Sequence, residues 1–264
     1  MQRCRMRQIS VPVLARLVWL AGPRRHAQRR AYAAARWIAR IDARVRGPRH
    51  PGRIAIEAIV MNDLICQFCM FDHTFPLTTQ IVGGPLRDAV CDRPRGALIA
   101  TVHTKLALAA HGAICVDGKR PLFVGFGDGD LRRWSWGAAD LVERIAPDVP
   151  GLFGRIGEAL AAGRIVIAFV DYAHSGKERT VISPNLFAWA QSRGIPIRPM
   201  LCTLTRNGTI RIELGTALPG AQHGPTRHAD AFVDFVTQRW PRSYTVCRAR
   251  TARQPGAMIK PRTV

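Results

Sequence analysis

The period of the apolar positions changes along the chain. Ile9 to Gly22 is mostly apolar, interrupted by Arg16. It falls short of the roughly 20 apolar residues that a membrane-spanning helix needs. It predicts a helix that packs on the domain or lies in a membrane interface. From Ala27 to Arg46 the period is helical: Ala31, Ala34, Ile38, Ile41 and Val45 share one arc, and Arg29, Arg36, Arg40 and Arg44 the opposite one. Trp37 stands at the boundary, where an amphipathic ring suits a lipid headgroup zone. A core-packed helix with a solvated basic face fits the same pattern. Gly47-Pro48 and Pro51-Gly52 break this helix, and a second apolar helical stretch runs from Ile54 to Phe71.

Short continuous apolar runs then alternate with helical stretches. Ala97–Val102, Pro121–Phe126 and Arg164–Val170 read as buried strands. Lys105–His111, Ala138–Ile145 and Leu152–Ala162 read as helices, the last with Leu152, Ile156 and Leu160 on one stripe and closed by Gly163. A helix from Asn185 ends at Gly194, and Ile195–Leu204 and Thr209–Leu214 pair across an Asn207-Gly208 hairpin. A final helix, Ala229–Trp240, stops at Pro241. Strands separated by helices predict an α/β fold, with a largely parallel central sheet and helices on both faces. The chain divides into a basic N-terminal helical segment (residues 1–52), an α/β domain (53–248) and a basic tail (249–264) expected to be disordered.

In open α/β sheets ligands bind beyond the carboxyl ends of the strands. His103 directly follows Ala97–Val102, and Asp171 directly follows Arg164–Val170. An imidazole there can act as a general base near neutral pH, and a neighbouring carboxylate can orient it or bind a substrate hydroxyl. His174, Ser175, Lys177 and Glu178 form a polar loop past Asp171 that lines the same site or is simply solvated. Cys66-Gln67-Phe68-Cys69, with His73 nearby, lacks a second cysteine pair and reads as core cysteines on an apolar helix. Gly125-Phe126-Gly127-Asp128-Gly129 lacks the spacing of a dinucleotide or phosphate loop and reads as a turn that shapes the cleft. No metal and no cofactor is expected.

Charge narrows the partners. Against 18 Asp and Glu stand 39 Lys and Arg, a formal net charge of +21, which calls for a polyanionic neighbour, either nucleic acid or an anionic membrane surface. The chain shows no zinc-finger spacing and no aromatic-basic RNA signature, so no specific nucleic acid is expected. Seven cysteines, an odd number without a secretory signal, suggest free thiols in a reducing compartment.

Two stretches carry a family likeness. The first is Arg95-Gly96-Ala97-Leu98-Ile99-Ala100-Thr101-Val102-His103. The second runs from Gly157-Glu158-Ala159-Leu160 through Gly163-Arg164-Ile165-Val166-Ile167 to Asp171. It continues through Ile195-Pro196-Ile197-Arg198-Pro199-Met200, Asn207-Gly208 and Phe232…Arg239-Trp240-Pro241. In order and spacing this resembles the bacterial lipid A (lauroyl/myristoyl-type) acyltransferases of the lysophospholipid acyltransferase-like superfamily. The resemblance implies a glycerolipid acyltransferase-like fold in which His103 takes the proton of an acceptor hydroxyl. That hydroxyl, on a lipid or glycolipid, attacks the thioester of an acyl carrier protein or coenzyme A. It further implies a peripheral protein on the cytoplasmic face of a bacterial inner membrane. In the family the histidine is followed, after four residues, by an Asp or Glu that holds its tautomer; here Leu108 occupies that position. Asp171 or Glu178 is left to supply the carboxylate. Otherwise the chain is a degenerate relative that binds lipid without turnover. Arg132 and Arg133 are the counterparts of the family's phosphate-binding basic residues, and His174 and Glu178 join them as substrate-binding candidates.

Overall fold

The structure, a computed structural model, describes residues 2–46, 53–72, 78–83, 96–103, 106–107, 121–125, 143–173, 179–205, 207–218, 227–239 and 245–248. Three N-terminal helices come first: α1 (Gln2–Leu20), α2 (Ala27–Arg46) and α3 (Arg53–Phe71). They pack together, α2 chiefly on α3. The contact face of α2 is made of alanines: Ala27, Ala31, Ala35 and Ala39 recur at four-residue intervals and are wholly buried. This turns the helix away from the expected arc. Trp37 and Val45 are 63% and 78% exposed, and Ile41 is exposed as well. Methyl-sized side chains let two helix backbones approach closely, so the alanine stripe takes the contact and the larger apolar residues face outward.

Polar groups stitch this layer together. The last carbonyls of a helix lack partners within it. At the end of α1 the Arg30 guanidinium supplies them, donating to the carbonyls of Val18, Trp19, Gly22 and Pro23. Trp19 lies 5.1 Å from the Phe68 ring, centroid to centroid. Arg24 pairs with Asp72, beyond the end of α3. The buried Gln28 side chain donates to the carbonyls of Thr78 and Gly208 and accepts from the Thr78 N–H, which ties α2 to the sheet.

The central sheet has seven strands: β1 (Thr79–Val82), β2 (Leu98–Thr101), β3 (Leu122–Val124), β4 (Glu143–Ile145), β5 (Val166–Phe169), β8 (Ile197–Leu204) and β9 (Ile210–Leu214), in the order β1-β9-β8-β2-β5-β3-β4. All neighbours are parallel except the β8–β9 hairpin. A second sheet, β10-β7-β6, joins β6 (Asp171–Ala173), β7 (Arg179–Ile182) and β10 (Thr245–Arg248). The remaining helices are α4 (Leu152–Ala161), α5 (Asn185–Ser192) and α6 (Arg227–Arg239).

Both faces of the central sheet are covered, as the continuous apolar runs require. On one face Ile99, Phe123, Ile167, Phe169 and Met200 pack with Met61, Leu64, Ile65 and Phe68 of α3. On the other, Leu98, Ala100, Val166 and Ala168 pack with Ile156 and Leu160 of α4, Phe187 of α5 and Phe232 and Val236 of α6. The expected α/β architecture with a largely parallel sheet is therefore present.

Several elements differ from the sequence reading. The end of the stretch read as a helix, Ala138–Ile145, is strand β4, and residues 138–142 lie outside the described residues. Among the described residues its three residues pair with β3 alone, where the Glu143 N–H donates to the Pro121 carbonyl and the Gly125 N–H to that of Ile145. An edge strand this short is held by backbone bonds and shows no readable alternation. Strands β1, β6, β7 and β10 were not anticipated. Of the Lys105–His111 stretch only Leu106 and Ala107 are described, both buried, Leu106 in a turn and Ala107 in a 3-10 conformation. The tail 249–264 lies outside the described residues. Among the described residues no helix is long and apolar enough to cross a membrane.

Candidate active site

Strands β2 and β5 are parallel neighbours with Thr101 opposite Phe169. Two residues beyond each of these stand His103 and Asp171, so the register itself carries both side chains to the same rim. The Val170 N–H donates to the Thr101 carbonyl at 3.0 Å and so extends the pairing past the strand ends. Asp171 is fixed from its other side by β6–β7, where it pairs with Ile182, and by the Ser183 N–H donating to the Val170 carbonyl at 2.7 Å.

One carboxylate oxygen does two things. Asp171 Oδ1 accepts the backbone N–H of His103 at 2.8 Å and lies 2.9 Å from His103 Nδ1. The same atom therefore positions the main chain and the ring. The Asp171 side chain is only 8% exposed and that of His103 38%, so the carboxylate lies behind and the imidazole is what an incoming molecule meets. The Phe169 ring packs against the imidazole, with centroids 4.5 Å apart and planes 32° apart. On the far side, Nε2 lies 3.2 Å from the carbonyl oxygen of Gly125. Gly125 has φ +124°, and a Cβ there would lie 2.7 Å from the Phe169 Cβ, so only glycine fits.

Burial by itself would pull the His103 pKa down. The Asp171 hydrogen bond and charge, helped by the Gly125 and Asp171 backbone groups, outweigh it, and the pKa ends above the ordinary histidine value. The geometry agrees. A carboxylate on Nδ1 and a carbonyl on Nε2 are both acceptors, and both are satisfied only when each ring nitrogen carries a proton. Deprotonation at Nε2 leaves Nδ1–H on Asp171 and a lone pair on Nε2 that faces the Gly125 carbonyl and has to turn from it to take a proton. The arrangement can serve as a base with an orienting carboxylate.

Nearby groups separate from this pair. Thr101 shares the His103 side of β2 and is wholly buried; its hydroxyl has no hydrogen-bond partner among the described residues. Cys202 packs in the core, where burial pushes its thiol up to about 12, and such a thiol is no nucleophile at neutral pH. Arg132, Arg133, His174, Glu178 and Leu108 lie outside the described residues, as do His73 and the side chains of Cys66 and Cys69. Among the described residues no group of three His, Cys, Asp or Glu could hold a metal ion. Gly125, read from the sequence as part of a turn that shapes the cleft, does stand at the site, through its carbonyl. The sequence reading missed Phe169, which stands two residues before Asp171 and so on the same side of its strand.

No model of a known protein family matches this chain, and no curated protein matches it.

Proposed function

We propose that the protein is an acyltransferase of glycerolipid acyltransferase-like fold, moving a fatty acyl group from an acyl carrier protein or coenzyme A thioester to a hydroxyl of a lipid or glycolipid. The observation that carries this reading is the Asp171 oxygen held by both the backbone and the ring of His103. It gives His103 a carboxylate from another strand where Leu108 takes the place of the family's acid. His103 Nε2 accepts the acceptor's hydroxyl proton as the oxygen attacks the thioester carbonyl. The C–S bond then breaks, and the departing sulfur takes the proton from Nε2. The imidazolium formed in between is stabilised by Asp171, a contribution of roughly 10²–10⁴ in rate for a positioned base.

The reaction is placed at an anionic membrane surface, peripherally, on the cytoplasmic face of a bacterial inner membrane. What supports this is the outward side of α1 and α2. Val13, Leu17, Leu20, Trp37, Ile41 and Val45 are exposed there, with Arg16, Arg29, Arg40 and Arg44 exposed on the same two helices. On this reading α2 is the amphipathic element of that surface and α1 adds exposed apolar side chains to it, and salt-sensitive binding to anionic but not neutral vesicles is the expected behaviour.

The test is acyl transfer from both donor types to a panel of lipid hydroxyls in anionic vesicles. Wild type transfers and His103→Ala does not; equal rates in the two proteins remove the catalytic role. A second reading, lipid binding without turnover, is favoured by Leu108 and by the Gly125 carbonyl that occupies Nε2. Activity that appears only in Leu108→Glu would establish that reading instead.

A further inference from the structure

A cleft of about 940 Å³ opens between α4 and α5, at the rim where β2 and β8 begin. It is remote from His103: Gly96 at the start of β2 lines the cleft, and His103 lies seven residues on, roughly 20 Å along an extended strand. The volume is in the range of small-molecule sites. Its wall is a stacked pair, Phe153 and Trp189, with ring centroids 5.3 Å apart and planes 16° apart. Its floor is the side of α4 that carries Gly154 and Gly157. A glycine inside a helix costs about 1 kcal/mol relative to alanine, and packing does not require either one. A Cβ at Gly154 would meet nothing within 4 Å, and one at Gly157 would only touch the Trp189 ring at 3.9 Å. Both positions have room for a Cβ, yet the helix leaves the space open.

The cleft follows α4 from Phe153 to Ala161, about 12 Å of helix at 1.5 Å per residue, and continues to Ile195 and Pro196. It is long, apolar and flanked by small residues. Among the described lining residues Arg193, exposed at the end of α5, is the one that carries charge, and no ion pair engages it there. An apolar trough with the Arg193 guanidinium at its edge fits an unbranched chain ending in a carboxylate, which a guanidinium can grip with two hydrogen bonds. We infer that this second site, separate from the His103 rim, binds a long-chain fatty acid, with the chain along Gly154 and Gly157 and the carboxylate on Arg193. The inference does not depend on the acyltransferase reading.

Calorimetric titration of the full chain with tetradecanoate, below its micellar concentration, tests this, with tetradecanol as the uncharged probe. Wild type is expected to bind tetradecanoate about tenfold or more tighter than tetradecanol, as a charge-assisted contact implies. Arg193→Gln should abolish that gap and leave tetradecanol binding unchanged. Gly154→Leu, which fills the trough at a position with open space, should weaken both probes by about tenfold or more. His103→Ala should bind like wild type, which separates this site from any acyl subsite at the other rim. Absence of tetradecanoate binding, or tetradecanoate binding unchanged in both Arg193→Gln and Gly154→Leu, overturns the inference. Circular dichroism of Gly154→Leu shows whether α4 is intact, and if it is not, Arg193→Gln alone decides.

Discussion

Strand β2 leads from one kind of surface to another. It begins at Gly96, beside an apolar trough with one arginine at its edge, and it runs out into His103, locked to Asp171. The rims also use opposite faces of the sheet. The His103 ring lies on Phe169, in the cluster shared with α3, whereas the trough belongs to the layer of α4 and α5. At one rim the imidazole is held by the Asp171 carboxylate, the Gly125 carbonyl and the Phe169 ring. The other leaves a space unfilled. The difference teaches that the two ends of one strand in a parallel sheet can carry surfaces of opposite character, a polar pair at one and an open apolar space at the other.

The largest effect that would sharpen this contrast is His103→Ala, which should lower acyl transfer by about 10⁴-fold while leaving fatty-acid binding at the trough untouched; a joint loss in rate and calorimetry would break the separation. Asp171→Asn should follow at about 10³-fold, since the imidazole remains without its orienting charge. In wild type the rate should rise with pH through a His103 value above the ordinary 6.5. In the Asn variant the lowering by burial persists and the raising contributions of the carboxylate vanish, so the rising limb of the rate profile moves to lower pH. Because the folded pKa is raised, the stability contributed by the pair is fully present below about pH 6.5 and declines as pH climbs through the raised value. The stability gap between wild type and Asp171→Asn, measured by urea melts, should therefore shrink at alkaline pH.

Two core substitutions sharpen the contrast through stability. Phe232→Ala opens a cavity in the layer behind the trough and should cost about 3–5 kcal/mol in urea unfolding, with the transfer rate per folded molecule unchanged. Gln28→Ala leaves the Thr78 and Gly208 backbone groups without their buried partner, and should cost about 1–3 kcal/mol by the same measurement.

The meeting of His103 and Asp171 was legible because two apolar runs of similar length, each ended by a polar residue, sit in neighbouring parallel strands. Once β2 and β5 align Leu98 with Val166 and Thr101 with Phe169, the two terminal side chains must meet. Elements without a pattern of their own were not legible. β4 has three residues and one hydrogen-bonded neighbour, so tertiary pairing decides it. The packed side of α2 overlaps the expected arc at Ala31 and, half-buried, at Ala34 and Ile38, but is shifted toward Ala27, Ala35 and Ala39, because alanines carry little hydrophobic weight in a sequence and much closeness in a structure. The trough was invisible for a related reason: its main feature is the side chains that Gly154 and Gly157 lack.

Gly125 holds its carbonyl toward the His103 ring from a backbone conformation that no L side chain adopts easily, and it is pressed against Phe169. In a library of all single substitutions it should therefore rank among the least tolerant positions, beside His103 and Asp171, although it offers no side chain to the reaction. Selection acting on this rim would preserve an atom that is not there.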